Sequence, residues 1–238
     1  MNKLVNITID GKKYQVHEGK NLVDTAKENG IYIPTLCHFH EVNPPLGTCR
    51  ICTVVVNNKT TTSCTTKVYE GMEVEINTPE LINTRKAIIE MLYAEGNHFC
   101  PSCEKSGNCD MQNLGYDMGI TVSRFPYVYS NKVVDFNSDR MIMESNRCIL
   151  CKRCVEDIKT KDKKNVFSFV RRGVNTRVHI DYEEEAKLTE AEALHAMNLC
   201  PVGAILIKGM IYEQPFGDRK YDVGGKAIKA TKIENFKK

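Results

Sequence analysis

Eleven cysteines fall into three groups along a 238-residue chain, and their spacing constrains the fold more tightly than any hydrophobic pattern does. The first group is Cys37, Cys49, Cys52 and Cys64; the second is Cys100, Cys103 and Cys109; the third is Cys148, Cys151, Cys154 and Cys200. A chain of this length can form one or two ordinary domains, or several smaller ones if something besides an apolar core stabilises them. Trp is absent and aromatic residues make up only 8%, so the second arrangement is expected. The opening residues lack the apolar run of a signal peptide, and no stretch approaches the roughly 18 apolar residues that a membrane span needs. A cytoplasmic location without a membrane span is therefore expected. In that reducing compartment metal ligation, rather than disulfide pairing, is the leading use of the thiols. The odd cysteine count also fits pairing poorly. Net charge is only +3, with no basic stripe, which gives no reason to invoke a nucleic-acid partner.

The pattern between the cysteines predicts an α+β chain. Leu4 to Ile9 alternates, Asp10-Gly11 supplies a tight turn, and Lys13 to Val16 returns as the second strand of a hairpin. A short helix follows, capped by Asn21 or Asp24, faced by Leu22, Val23 and Ala26, and ended by Asn29-Gly30. Thr53 to Val56, a Thr-rich return strand after Asn57-Asn58, and Met72 to Ile76 complete a small β-grasp-like unit over residues 1–78. Thr78-Pro79 opens a helix through about Tyr93. The second unit, residues 79–140, is poor in regular signal after that helix, as expected where a metal orders the backbone. A third unit, 141–212, has strand-like Val166 to Val170 and Arg177 to Ile180 and a helix from about Thr189 to Asn198. Residues 213–238 form a tail; from Arg219 on it carries seven Lys or Arg against two acids, and is either a partner-docking arm or a solvated end.

The first cysteine set has the spacing C-x11-C-x2-C-x11-C. A 2Fe-2S cluster needs two thiolates per iron and a tight loop whose amides point at the sulfides, and Pro45 to Cys52 suits this because Gly47 permits close backbone approach. Plant-type ferredoxins use the same order with a shorter first spacing. A four-cysteine zinc site is the alternative, although one short pair with a lone cysteine on either side is a less usual zinc pattern. His38 and His40 flank Cys37 as surface or supporting groups. The second set offers three cysteines where a 4Fe-4S cube needs four ligands, and His98 is the nearest candidate for the fourth. A neutral imidazole in place of a thiolate removes one negative charge and raises the potential. A hydrogen-bonding role for His98, leaving an open iron, is the other reading. The third set, C-x2-C-x2-C followed by Cys200-Pro201, wraps three corners of one cube in a single turn and closes it with the remote cysteine. Ile158 stands where a second cube would require another cysteine. Eleven cysteines and His98 make twelve ligands, or three sets of four.

Over nearly its whole length the chain resembles a known family. The stretches Ile33 to Cys37, Leu46 to Arg50, Glu95 to Gly107, Val122 to Tyr127 and Cys200 to Gly203 are similar to HoxU, the small iron-sulfur subunit of the diaphorase module in soluble NAD-reducing nickel-iron hydrogenases. The likeness includes non-ligand residues between the cysteines. The N-terminal part of the large iron-sulfur subunit of respiratory complex I is a broader relative. There, and in iron-only hydrogenases, the histidine precedes the first cysteine by four residues, where this chain has Gly96. The complex I subunit also continues into a long molybdopterin-enzyme-like region, whereas this sequence stops at Lys238, and both departures favour resemblance to the hydrogenase subunit.

The resemblance implies a 2Fe-2S ferredoxin-like domain, a histidine-ligated 4Fe-4S domain and a ferredoxin-like 4Fe-4S domain. It also implies partners: a HoxF-like flavoprotein that binds FMN and NAD, and HoxY- and HoxH-like hydrogenase subunits that split hydrogen. The residues agree by omission, since no G-x-G-x-x-G turn follows a strand, no P-loop is present, and no cysteine pairs remain for a nickel-iron centre. No hydride or hydrogen active site is therefore expected on this chain, and no catalytic residue. The role implied is electron relay, with a diaphorase subunit of another NAD-linked complex, such as a formate dehydrogenase, as the alternative, and a zinc-stabilised interaction module as the remoter one. Val122 to Tyr129, with Phe125, Tyr127 and Tyr129, is a candidate partner surface, against the alternative that these aromatics are buried packing.

Overall fold

The structure is a computed structural model that describes residues 3–210 and 214–222. The chain forms two compact units, Met1–Ile88 and Ile89–Lys238, and the boundary lies inside a helix.

In the first unit β1 (Leu4–Ile9) and β2 (Lys12–His17) form the expected hairpin, paired antiparallel from Leu4 with His17 to Ile9 with Lys12. Asp10 and Gly11 both take positive φ, 44° and 79°, which matches the twist of a two-residue hairpin turn. The Asp10 carboxylate also accepts from the Ile76 amide at 2.7 Å and from Asn77 Nδ2 at 2.9 Å. Helix α1 (Leu22–Glu28) starts after Asn21, whose side chain makes no cap bond. The strands β3 (Thr53–Val56) and β4 (Lys59–Thr62) turn at Asn57-Asn58, again with both residues at positive φ. With β5 (Met72–Glu75), parallel to β1, they give a five-stranded sheet in the order β2-β1-β5-β3-β4. Period-two alternation sends Val5, Ile7 and Ile9 to one face, where they pack with Val54, Val56, Met72 and Val74 and with Leu22, Val23 and Ala26 of α1.

Helix α2 (Pro79–Glu95) contains the boundary between the units. In the second unit follow α3 (Asp110–Asp117), β6 (Val134–Asp135), β7 (Met141–Glu144), α4 (Arg153–Asp157), β8 (Phe167–Val170), β9 (Arg177–Ile180), α5 (Tyr182–Glu185), α6 (Glu190–Leu199) and β10 (Ile205–Ile207). The strands form a β10-β7-β6 sheet and a β8-β9 hairpin. Strands β8 and β9 and helix α6 lie where the pattern places them. Helix α3 does not appear in it, because its N-cap is the thiol of Cys109, which accepts from the Gln112 amide at 3.4 Å in place of a Ser, Thr, Asp or Asn oxygen. Strands β7 and β10 are too short for their periodicity to register, and their pairing, Met141 with Ile207 and Met143 with Ile205, joins distant segments.

Two further expectations change. Val122 to Tyr129 is not buried packing: Val122 is 77% and Tyr129 79% exposed, with Phe125, Tyr127 and Val128 also exposed. The loop is pinned instead by its polar groups. Arg124 Nε lies 2.5 Å from the buried Glu90 carboxylate, Ser123 Oγ donates to the Glu90 carbonyl at 3.1 Å, and the Val128 amide to the Ala94 carbonyl at 2.9 Å. The tail is structured in its described part, 214–222, which folds onto residues 106–110; the remainder of the tail lies outside the described residues.

Helix α6 begins with a reciprocal capping box, in which Thr189 Oγ1 accepts from the Glu192 amide at 3.2 Å and Glu192 Oε2 accepts from the Thr189 amide at 2.7 Å. Thr189→Ala should cost about 1 kcal/mol of stability. The check is the urea midpoint of the anaerobically purified protein, and an unchanged midpoint would show that the box does not support the helix that ends at Cys200.

Candidate metal centres

None of the eleven cysteines is in a disulfide. In the first unit Cys37, Cys52 and Cys64 are buried, and Cys52 Sγ lies 3.3 Å from Cys64 Sγ. Backbone amides point at sulfur: the Leu36 amide donates to Cys49 Sγ and the Cys49 amide to Cys37 Sγ, both at 3.4 Å. The loop that aims them uses left-handed backbone at Gly47 and Arg50, and a Cβ at position 47 would come within 2.9 Å of Thr65 Cγ2. Hydrogen bonds from the neighbouring thiols of Cys49 and Cys64 drive Cys37 strongly toward its thiolate, and the Cys64 thiol lowers Cys52 to about 6. The same hydrogen bonds push the Cys49 and Cys64 thiols up in turn, so the set shares its protons between two sulfurs that favour charge and two that hold it off, and full ligation requires the latter two to give up their protons to a metal. His40 is the surface group of the two histidines beside Cys37. His38 is not: its side chain is 11% exposed and its Nε2 lies 2.8 Å from Asp24 Oδ1, so the carboxylate expected as a helix cap instead ties α1 to the Cys37 loop.

The second set lies on a 3-10 turn, Cys100–Ser102, and at the start of α3. Burial pushes the Cys109 thiol up to about 12, and Cys100 is raised by burial and by the Cys103 charge. The His98 ring meets Tyr93 edge to face, with centroids 5.7 Å apart. Burial, helped by the Arg147 and Lys132 cations, lowers its pKa to about 4, so the imidazole is neutral near pH 7. A Cβ on Gly96 would fall 2.3 Å from His98 Nε2. The imidazole thus occupies space that a side chain at position 96 would need, and the glycine there is obligatory for this arrangement.

The third set wraps a short loop in which Leu150 and Lys152 take left-handed φ of 54° and 69°. That alternation turns the amides of Leu150 and Arg153 toward Cys148 and Cys151. Cys200 caps the end of α6. Burial raises Cys148 to about 12 and lifts Cys151 and Cys154 further, with the neighbouring thiolates adding to the penalty. Anionic sulfur is costly here unless a cation neutralises it, and iron coordinated by all four is such a cation. The donor set therefore fits a cluster.

The second and third sets adjoin. The Asp110 amide donates to the Pro201 carbonyl at 2.9 Å, and Cys109 Sγ lies 3.6 Å from the same oxygen. Lys105, 6% exposed, donates to the Met197 carbonyl at 2.8 Å just before Cys200. Asp110 gathers Lys220 Nζ at 2.6 Å, Tyr221 Oη at 2.7 Å and Arg153 Nη1 at 3.4 Å, fastening the described tail and α4 to the residue after Cys109. Nothing in the sequence pattern marks Asp110 as this junction, because its partners are more than 40 positions away.

Comparison with known proteins agrees with this layout. Residues 2–79 match the 2Fe-2S iron-sulfur cluster binding domain, 85–124 the NADH-ubiquinone oxidoreductase-G iron-sulfur binding region, and 138–206 the ferredoxin-like domain of NADH-quinone oxidoreductase subunit 3. The chain is 47% identical over 231 residues to the gamma subunit of the NAD-reducing hydrogenase HoxS of Cupriavidus necator, covering 97% of each. It is 34% identical over 208 residues to the mitochondrial 78 kDa subunit of NADH-ubiquinone oxidoreductase from Neurospora crassa; that match covers 86% of this chain and 28% of the longer protein. A chain in the crystal structure of a NAD+-reducing [NiFe]-hydrogenase in the H2-reduced state superposes with a TM-score of 0.81 at 34% identity, covering 92% of this chain and 93% of that one. Domains that bind 2Fe-2S and 4Fe-4S clusters, arranged in this order over the full length of a hydrogenase relative, place the chain in the gamma-subunit family of NAD-reducing hydrogenases, the iron-sulfur electron-transfer subunits of that enzyme.

Proposed function

We propose that the chain holds one 2Fe-2S cluster on Cys37, Cys49, Cys52 and Cys64, one 4Fe-4S cluster on His98, Cys100, Cys103 and Cys109, and a second on Cys148, Cys151, Cys154 and Cys200. The three-part division at residues 78 and 140 then follows the clusters, two of which share the second compact unit. The observation that carries this reading is the grouping of buried and half-buried thiols, none in a disulfide, into these sets, with the last two joined through Asp110 and Pro201. Hydrogen and NADH each exchange two electrons, whereas a cluster passes one at a time. The chain accordingly serves as a wire between HoxY- and HoxH-like subunits that oxidise hydrogen and a HoxF-like flavoprotein that carries FMN and reduces NAD+, in a cytoplasmic complex. Among the described residues no helix is long and apolar enough to cross a membrane. The exposed Val122 to Tyr129 loop and the basic tail are the surfaces assigned to partners.

The test separates the wire from its ends. In the purified complex, Cys151→Ser should abolish hydrogen-dependent NAD+ reduction while hydrogen-to-dye and NADH-to-dye activities persist. Coupled activity at the wild-type rate in a variant shown to lack that cube would remove the cluster from the path.

For His98, substitution by cysteine restores a negative ligand, so His98→Cys should lower the reduction potential of its cube. The measurement is a redox titration followed by EPR. A potential equal to that of the wild type would mean that the imidazole does not ligate iron.

A further inference from the structure

The buried face of helix α2 is interrupted by a charge. Leu81, Arg85 and Ile89 stand at helical spacing and are all buried, with Arg85 only 3% exposed where the stripe calls for an apolar side chain. Its guanidinium Nε donates to the Ile51 carbonyl at 3.2 Å, and its Nη2 to the Thr53 carbonyl at 2.7 Å. Those two residues are the immediate neighbours of Cys52, so the fork brackets a ligand of the 2Fe-2S set. Among the described residues no carboxylate forms an ion pair with Arg85. The anion that most favours its charge is the Cys52 thiolate, followed by Asp10, whose oxygens accept from Ile76 and Asn77. A guanidinium does not deprotonate, so this is a fixed positive charge in the interior. Two carbonyl dipoles do not offset the cost of burying a cation; a nearby anion must.

We propose that Arg85 is a positioning residue for the 2Fe-2S cluster, clamping the Cys52 loop and raising the cluster's reduction potential through its charge. The inference rests on the cluster assignment above. Four thiolates around a dipositive core leave a net dianion, and one-electron reduction adds a further negative charge with no bond made or broken. A cation beside Cys52 therefore stabilises the reduced form more than the oxidised form. Lys105, buried and bonded to the Met197 carbonyl, has a related setting, but it lies within the ligand loop itself, whereas Arg85 reaches the Cys52 loop from a separate helix.

The experiment is an EPR-monitored redox titration of the purified complex with dithionite as reductant, comparing wild type, Arg85→Gln and Arg85→Lys. The 2Fe-2S signal is separated from those of the cubes by its persistence at higher temperature. Arg85→Gln should shift the reduction equilibrium of the 2Fe-2S cluster about tenfold toward the oxidised form, equivalent to about 59 mV, and leave both cubes unmoved. Arg85→Lys, which keeps the charge and loses the fork, should recover most of that shift. An unmoved potential in Arg85→Gln with the signal intact overturns the proposal, as does an equal shift in both variants, which would leave only the clamp. Should Arg85→Gln fail to fold, a wild-type potential in Arg85→Lys supports the proposal, and a reduction equilibrium shifted tenfold toward the oxidised form in that variant overturns it. Absence of any 2Fe-2S signal from the wild type overturns the cluster assignment as well, which keeps the two failures apart.

Discussion

The cost of placing charge on buried cysteine sulfur is the constraint on which this structure depends. Most of its cysteines are buried, none is cross-linked, and in the second unit burial makes the free thiolates unfavourable. A chain poor in aromatic residues has few other ways to order loops such as Gly96–Cys109 or Cys148–Cys154. In the proposed cluster assignment, coordination to iron converts the penalty into the organising interaction. The backbone is arranged to meet it, through amides aimed at sulfur and left-handed residues at Arg50, Leu150 and Lys152 that make the aim possible.

What could be read from the sequence was what depends on local order. The hairpin at Asp10-Gly11, the Asn57-Asn58 turn and the helix that begins at Thr189 are all decided within a few residues, and each lies where the pattern puts it. What escaped depends on partners far along the chain. Strands β7 and β10 exist because they pair with each other, α3 starts on a thiol cap, and the junction at Asp110 is assembled from α4 and the tail. Arg85 left a faint trace, a charge between two apolar residues four positions away on either side, which only its burial turns into a statement about Cys52. Asp24 looked like a cap and turned out to hold His38, because helix α1 passes over the Cys37 loop.

The place of His98 depends on its neighbour two residues back: a Cβ on residue 96 would fall against the imidazole, so the ring sits as it does only while position 96 is glycine. Burial and two neighbouring cations keep that ring neutral, which is the form able to donate a lone pair. Local charge is otherwise distributed by type. Arg147 pairs with Glu104 and Arg153 with Asp110, so these cations are largely compensated, whereas Arg85 and Lys105 are bonded only to carbonyls among the described residues.

The claim on which all of this rests is that three complete ligand sets hold iron and sulfide. Its most direct measure is the metal and sulfide content of the full chain purified anaerobically, with a Mössbauer spectrum after enrichment in iron-57. The account predicts about ten irons per chain, with two in a 2Fe-2S environment and the others shared between two 4Fe-4S cubes. Colourless protein with stoichiometric zinc, or iron confined to the 2Fe-2S environment, would contradict it.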